Sequence, residues 1–361
     1  MIKNIFIIIL IIPLLLSAND KKSSSKKKVD YAFIPIVSYN RSFGGQFGAL
    51  ANGYFNMGKN DTISHPSLVG IYGSGFTNKT YFIGLFNKLY FKKDHWRTKL
   101  ALGYGDIKFQ TFIDLPPGVP ELWAQDDNGE FIDYSTKVFF TYAEGLGLVG
   151  GHVYLGLRML YSNTETVFDP QLKPDENIEL FGFGIAGEYD TRDNVITPYS
   201  GMNIKLKTFT FLESLGSTDS YNRITFDINK YFPVKENSTL LIRLYSNISF
   251  GDNVPFVGKN VVGRDDLRGY TDGKYRANQV YDLQGEYRWN FYKKWGMVAF
   301  GGAAVATDNM SGTNYSGLLP ALGAGLRYKF IKSRNVNIGV DAAVGKDDWG
   351  LYFRIGEAFT R

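Results

Sequence analysis

The sequence contains no cysteine in its 361 residues. That absence excludes disulfides, a thiol nucleophile and any thiolate metal site, and it removes the residue a lipoprotein anchor needs at its cleavage site. Histidine is almost as scarce: His65, His95 and His152 are the only three and lie far apart, so neither a zinc site nor a His-based triad is expected. After residue 16 no apolar run approaches the ~18 to 20 residues a spanning helix requires. Nor is there an amphipathic helical period of useful length. No metal, no cofactor and no enzymatic chemistry is expected.

The one apolar run that exists is N-terminal. Lys3 supplies a positive start, Ile5 to Leu16 an apolar core and Ser17-Ala18 a small-residue cleavage site, so residues 1–18 read as a secretory signal peptide and not as a membrane anchor. Residues 19–30 follow as a basic leader rich in Ser and Lys. Much of the formal net charge of +5 lies there, in Lys21, Lys22, Lys26, Lys27 and Lys28. Such a run reads as a flexible leader, and no nucleic-acid partner is expected.

What the chain has in abundance is 24 Tyr, 28 Phe and 40 Gly, the vocabulary of strands and turns. From Tyr31 onward, period-two alternation recurs with turn signals between. In 221–231, Ile224, Phe226 and Ile228 alternate with Arg223, Thr225, Asp227 and Asn229. In 239–250, Leu240, Ile242 and Leu244 alternate with Arg243 and Tyr245, and in 281–291, Tyr281, Leu283, Tyr287, Trp289 and Phe291 alternate with Asp282, Gln284, Glu286 and Arg288. These runs reach about ten residues, longer than a typical sandwich strand and matched to a tilted bilayer crossing of about 9 to 11. Ionic side chains would then face a lumen and apolar ones lipid.

Sixteen such segments can be placed between 32 and 359, with the last at 350–359. The expected fold is therefore all-β: a 16-stranded antiparallel transmembrane β-barrel of the outer membrane, occupying 31–361. Connections alternate in length, short at 92–95, 147–150, 292–294 and 331–334 and long at 111–130, 167–176, 213–220 and 251–278, which makes 251–278 the sixth external loop. Two glycine patterns, Gly182-x-Gly184-x-x-Gly187 and Gly145-x-Gly147-x-x-Gly150, spell a dinucleotide fingerprint, but neither opens a helix in a βαβ unit, and they read as small residues within strands. The acidic stretch 114–133, with Asp126, Asp127 and Glu130, fits no calcium-loop spacing and reads as a solvated external loop.

Three segments carry a resemblance. The first is Val262-Gly-Arg-Asp-Asp-Leu267-Arg268-Gly269-Tyr270, followed by the strand from Tyr281. The second is a turn built of Asp190, Arg192, Asp193 and Asn194, then Pro198 and Gly201. The third is the aromatic-rich segment with Tyr352, Phe353, Gly356 and Phe359, after which Thr360 and Arg361 depart from the usual ending. Together they resemble the outer membrane protein 85 superfamily, in its bacterial surface antigen or BamA/TamA-like barrel domain. The resemblance implies that Leu267 to Tyr270 forms a sixth-loop tip folded into the lumen, that the second segment is a periplasmic turn, and that the third is a C-terminal signal read by barrel-assembly machinery. It departs in two respects: no room is left for the periplasmic POTRA domains usual in the family, and Phe300-Gly301-Gly302 lacks the aspartate that many members place two residues after the aromatic.

Charge pairing supplies a substitute, because a guanidinium in a narrow lumen needs carboxylates and Arg suits bidentate pairing. One or both of Asp282 and Glu286, inward on the strand after the loop, are the candidate partners of Arg268. Alternatively Arg268 is solvated at a loop tip and the acids pair with Arg243 or Arg288 across strands. Arg223, Asp227, Arg243 and Arg288 are expected lumen charges.

The resemblance implies a barrel that assists assembly, insertion or translocation of outer-membrane proteins or lipids, with a weak seam between its first and last strands; the short first strand, 32–39, with Pro35, suits such a seam and equally suits an ordinary edge. The barrel's expected partners are outer-membrane lipids, barrel-assembly machinery during its own insertion, client proteins and a separate periplasmic chain. A porin-like channel for small solutes and a surface protein that binds through its external loops are the alternatives.

Overall fold

The computed structural model describes residues 29–40, 44–58, 60–113, 130–169, 175–263, 266–271, 273–309, 316–331 and 335–359. The expected signal peptide, nearly all of the leader, most of the acidic stretch, Arg264, Asp265, Thr360 and Arg361 lie outside these residues.

The alternating segments form strands β1 (Asp30–Asn40), β2 (Gly44–Phe55), β3 (Ser67–Phe76), β4 (Tyr81–Phe91), β5 (Trp96–Ile113), β6 (Glu130–Gly150), β7 (Val153–Asp169), β8 (Glu176–Asp190) and β9 (Gly201–Phe211). The second half supplies β10 (Tyr221–Lys235), β11 (Ser238–Phe250), β12 (Asn260–Val261), β13 (Arg276–Ala277), β14 (Gln279–Tyr292), β15 (Trp295–Thr307), β16 (Leu319–Ile331), β17 (Val336–Gly345) and β18 (Asp348–Ile355). All except β12 and β13 join one 16-stranded antiparallel sheet in sequence order, and those two pair as a ribbon inside the 251–278 loop.

Burial inverts the pattern of a soluble protein. Leu283, Tyr287, Trp289 and Phe291 are exposed on β14, whereas Asp282, Gln284, Glu286 and Arg288, on the alternate face, are buried. On β11, Leu240, Ile242 and Leu244 are exposed and Arg243 is buried. A sheet that exposes its apolar face and encloses its charges is solvated by lipid outside and lined by a polar lumen within.

Several expected boundaries shift, and two strand ends move furthest. The sixth strand runs on to Gly150, so its turn is only 151–152 and not 147–150. The small residues there keep the ladder going: Leu148 donates to the His95 carbonyl, and Gly147 leaves room for the Trp96 ring. The last strand ends at Ile355 and not at 359, because Gly356 takes a left-handed φ of +80° and turns the chain inward.

The sheet closes on itself unevenly. β18 returns beside β1, with Cα atoms within 8 Å, yet among the described residues no hydrogen-bonded ladder joins them. Ala32 and Ile34, which share a face with Asn52 and Tyr54, pack in one cluster with Ile338, Phe353 and Ile355. Those last three lie on the side opposite the lumen-facing Asp341, Tyr352 and Arg354. The inner face of β1 therefore laps over the outer face of the last two strands, an aliphatic joint in place of a ladder.

Candidate functional site: a loop locked inside the barrel

The 251–278 loop does not stand in solvent. Val262, Leu267, Tyr270 and Ala277 join Val280, Ala304, Ala306, Leu319 and Ala321 in an apolar cluster against the inner wall. This seat is built from small side chains on the walls and large ones on the loop. Gly345 shows why: a Cβ there would lie 2.5 Å from the Tyr270 ring. The Tyr270 hydroxyl donates to the Pro320 carbonyl at 2.6 Å and accepts from the Lys346 amide at 3.0 Å. Gly269, at φ +118°, brings its amide 2.8 Å from the Tyr352 hydroxyl, and Thr271 is held through its amide and hydroxyl by the Asp348 carboxylate.

Arg268 is fully buried at the tip. Its guanidinium donates to Glu286 at 2.5 Å and to Asp341 at 2.7 Å, and its central carbon lies over the Phe300 ring, 3.3 Å from the ring centre. The carboxylates are shared: Arg288 binds Glu286, while Arg327 and Arg354 bind Asp341. Glycines make space for this network, since a Cβ at Gly325 would collide with the Asp341 carboxylate. Phe300, where the resemblance noted a missing downstream aspartate, stacks under the guanidinium, and the missing charge is supplied from β17. Asp282 is not a partner of Arg268, which corrects that expectation: its carboxylate accepts from the Gln284 amide. Sequence reasoning missed Asp341 because its strand lies three strands further on. Its inward position in the alternation Val340-Asp341-Ala342 was the available signal.

The remaining lumen charges also hold the loop. Arg223 donates to the Gly258 carbonyl at 2.5 Å. Arg243 bridges Asp227 on β10 and Asp266 on the loop. At the other side of the lumen, Arg276 donates to Tyr134 on β6 and stacks 4.1 Å from the centre of the Phe256 ring, which itself packs on Tyr134 and Phe168. The loop is thus fixed to the first and second halves of the barrel at once.

The segment after β18 enters the same network. Glu357 pairs with Arg327, and Arg288 donates to the Ala358 carbonyl. Phe359 is buried with Tyr231 and Leu241, its ring 4.8 Å from the Arg243 guanidinium. Of the residues expected to form the C-terminal assembly signal, Tyr352 and Phe359 face the lumen, Gly356 makes the turn, and Phe353 lies in the seam cluster.

The expected turn motif closes the opposite end. Asp190 accepts from Arg192 and from Arg97 of β5. Asp193 caps the amides of Tyr199 and Ser200, and Asn194 those of Ile196 and Thr197. Gly201, at φ +99°, has no room for a Cβ beside the Thr191 carbonyl. Pro198 and Asp193 border a cavity of about 370 Å³ that reaches Arg288, Arg327 and Glu357, so the network is approached from this end. Nearby, in the 56–66 connection, burial pushes His65 below its ordinary range against the opposing charge of Asp94. Hydrogen bonds from the Ser64 hydroxyl and amide, and from the Lys93 amide, hold Asp61 well below the usual carboxylate range.

Residues 67–359 match the family model described as the Omp85 superfamily domain. Among solved structures, the chain is similar to BamA from Haemophilus ducreyi lacking POTRA domains 1-3, at 14% identity and TM-score 0.59, covering 92% of this chain and 70% of that one. It is also similar to CdiB from Escherichia coli (12% identity, TM-score 0.62, 93% of this chain and 63% of that one). CdiB from Acinetobacter baumannii gives 10% identity and TM-score 0.57, with 91% of this chain and 65% of that one covered. The chain thus spans under two thirds of either CdiB. No protein of curated function matches the sequence.

Proposed function

The chain belongs to the Omp85 superfamily, and from that premise we propose that it assists the assembly, insertion or translocation of proteins or lipids at the outer membrane. The observation that carries this reading is the seam: β1 and β18 lie side by side without a ladder among the described residues. Each backbone hydrogen bond contributes about 1 kcal/mol net, so an unladdered joint opens at far lower cost than any other strand pair in the wall. Once parted, its strand edges offer unpaired N–H and C=O groups that template an incoming strand. Pro35 in β1 lacks a donor for any ladder, which keeps this edge weak.

The lock on the loop supports an assembly barrel over a porin. A passive solute channel requires an open lumen, whereas here the loop reaches from Asp341 and Glu286 to Tyr134. Glu357 and Arg354 tie β18 and its continuation to that same loop network, so movement of the seam strand is felt at Arg268. Client proteins and a separate periplasmic partner belong to this proposal, as does the turn end as the approach for a client.

The test is a cysteine in β1 paired with one in β18, reconstituted in vesicles with an unfolded outer-membrane barrel as client. The protein accelerates client insertion when the pair is reduced and loses most of that acceleration when it is oxidised. Equal rates in both states, or a large steady conductance without acceleration, overturn the reading.

A further inference from the structure

The end of the barrel that carries the short turns presents a group of lysines. At the turn end Lys92, Lys93, Lys293 and Lys294 are exposed, with Lys230 and Lys329 half-buried beside them. Among the described residues none of these six has an ion-pair partner. At the other end Lys137 and Lys259 are paired with Glu165 and Asp308, while Lys79 and Lys346 are exposed and have no ion-pair partner among the described residues.

The turn-end lysines on the second half of the wall stand over aromatic rings. The Lys230 Nζ lies 5.6 Å from the Phe232 ring centre, Lys293 Nζ 4.9 Å from Tyr292, and Lys294 Nζ 5.7 Å from Tyr328. Tyr328 is itself packed edge-on against Trp295 at 5.0 Å, and Trp289 lies 5.7 Å from Phe291. Phe232, Trp289, Phe291, Tyr292 and Trp295 are all exposed on the outer wall. Below them the same face continues as Leu240, Ile242, Tyr287 and Leu326, also exposed.

Aromatic rings of this kind settle at the headgroup level of a bilayer, and an ammonium resting on such a ring is held at that depth. An unpaired cation there needs an anion, and the group that lies at that depth beside an aliphatic surface is a lipid phosphate. Clustered lysines near a membrane surface attract anionic lipid electrostatically. We propose that the strip formed by Lys230, Lys293 and Lys294 with their aromatic neighbours, across β10 to β16, binds the headgroup of an anionic glycerophospholipid in the leaflet at the turn end. This rests on the membrane-spanning fold alone and is independent of the assembly role.

Tryptophan quenching tests it. A protein carrying Trp96→Phe, Trp123→Phe and Trp349→Phe keeps Trp289 and Trp295 as reporters beside the strip. Reconstituted in vesicles, these two are quenched by brominated phosphatidylglycerol with a relative binding constant about threefold or more above that of brominated phosphatidylcholine. Adding Lys230→Gln, Lys293→Gln and Lys294→Gln brings the ratio close to one, whereas the corresponding arginine triple keeps it high. A ratio near one in the protein with its lysines intact overturns the proposal. So does a ratio that survives the glutamine triple, or one that the arginine triple abolishes.

Discussion

Arg268 sits among groups that would be costly to bury apart from it. Breaking a buried ion pair from one side costs about 3–5 kcal/mol because a charge is left uncompensated. Glu286 keeps Arg288, and Asp341 keeps Arg327 and Arg354, so Arg268→Ala belongs at the lower end, about 3 kcal/mol. Asp341→Asn leaves three guanidinium groups facing a neutral amide and belongs at the upper end, about 5 kcal/mol. Asp282→Asn, whose carboxylate meets only the Gln284 amide among the hydrogen bonds described above, costs about 1 kcal/mol or less. The expected order in thermal unfolding and in protease cleavage of the 251–278 loop is therefore Asp341→Asn, then Arg268→Ala, then Asp282→Asn. Arg268→Lys does not restore the wild-type loop, since a point charge cannot span both carboxylates. Glu286 was legible in the sequence because it lies inward on the strand that follows the loop. Asp341, Arg354 and Glu357 were not, because no local pattern tells which of many inward charges the barrel brings to one point.

At the scale of elements, alternation located the barrel strands well, since each buries one face and offers the other to lipid. Boundaries failed where glycine decided them, in opposite senses: Gly147 and Gly150 let β6 continue, whereas Gly356 ends β18. The turn between β4 and β5 shows a constraint that alternation does not reveal. Lys92, Lys93 and Asp94 all take left-handed φ, a conformation costing about 1–2 kcal/mol per residue. The Asp61 carboxylate accepts from the Lys93 amide and the Ser64 hydroxyl accepts from the Asp94 amide, which fixes that turn from the neighbouring connection. Since the folded state lowers the Asp61 pKa from its ordinary 3.8, the clamp contributes fully above that pH and is lost as pH falls through the folded value. Wild-type protein should lose more stability between pH 4 and pH 2 than Asp61→Asn does. Parallel slopes in acid unfolding of the two proteins would contradict this.

For the whole molecule, the sequence revealed a transmembrane barrel with a sixth loop of special chemistry, because lipid outside and water inside impose a period of two on every strand. The family resemblance implied a weak seam between the first and last strands, and Pro35 in the first strand suited one, but the sequence did not reveal how the two edges meet. Whether two edge strands pair by backbone or lap by side chains depends on barrel curvature, and Ala32, Ile34, Phe353 and Ile355 would look the same in either arrangement. The resulting molecule has one weak line in its wall and a locked lumen behind it, and arginine–carboxylate pairs connect the two. On the function proposed above, such a barrel lets chains pass into the membrane through its side and not solutes through its centre. Depletion of this protein in its own cells, followed by quantitation of the outer-membrane proteome, tests that claim most directly. Other β-barrel or surface-exported proteins are expected to fall in abundance before growth slows. Unchanged levels of those proteins, with loss of small-solute uptake instead, would contradict it.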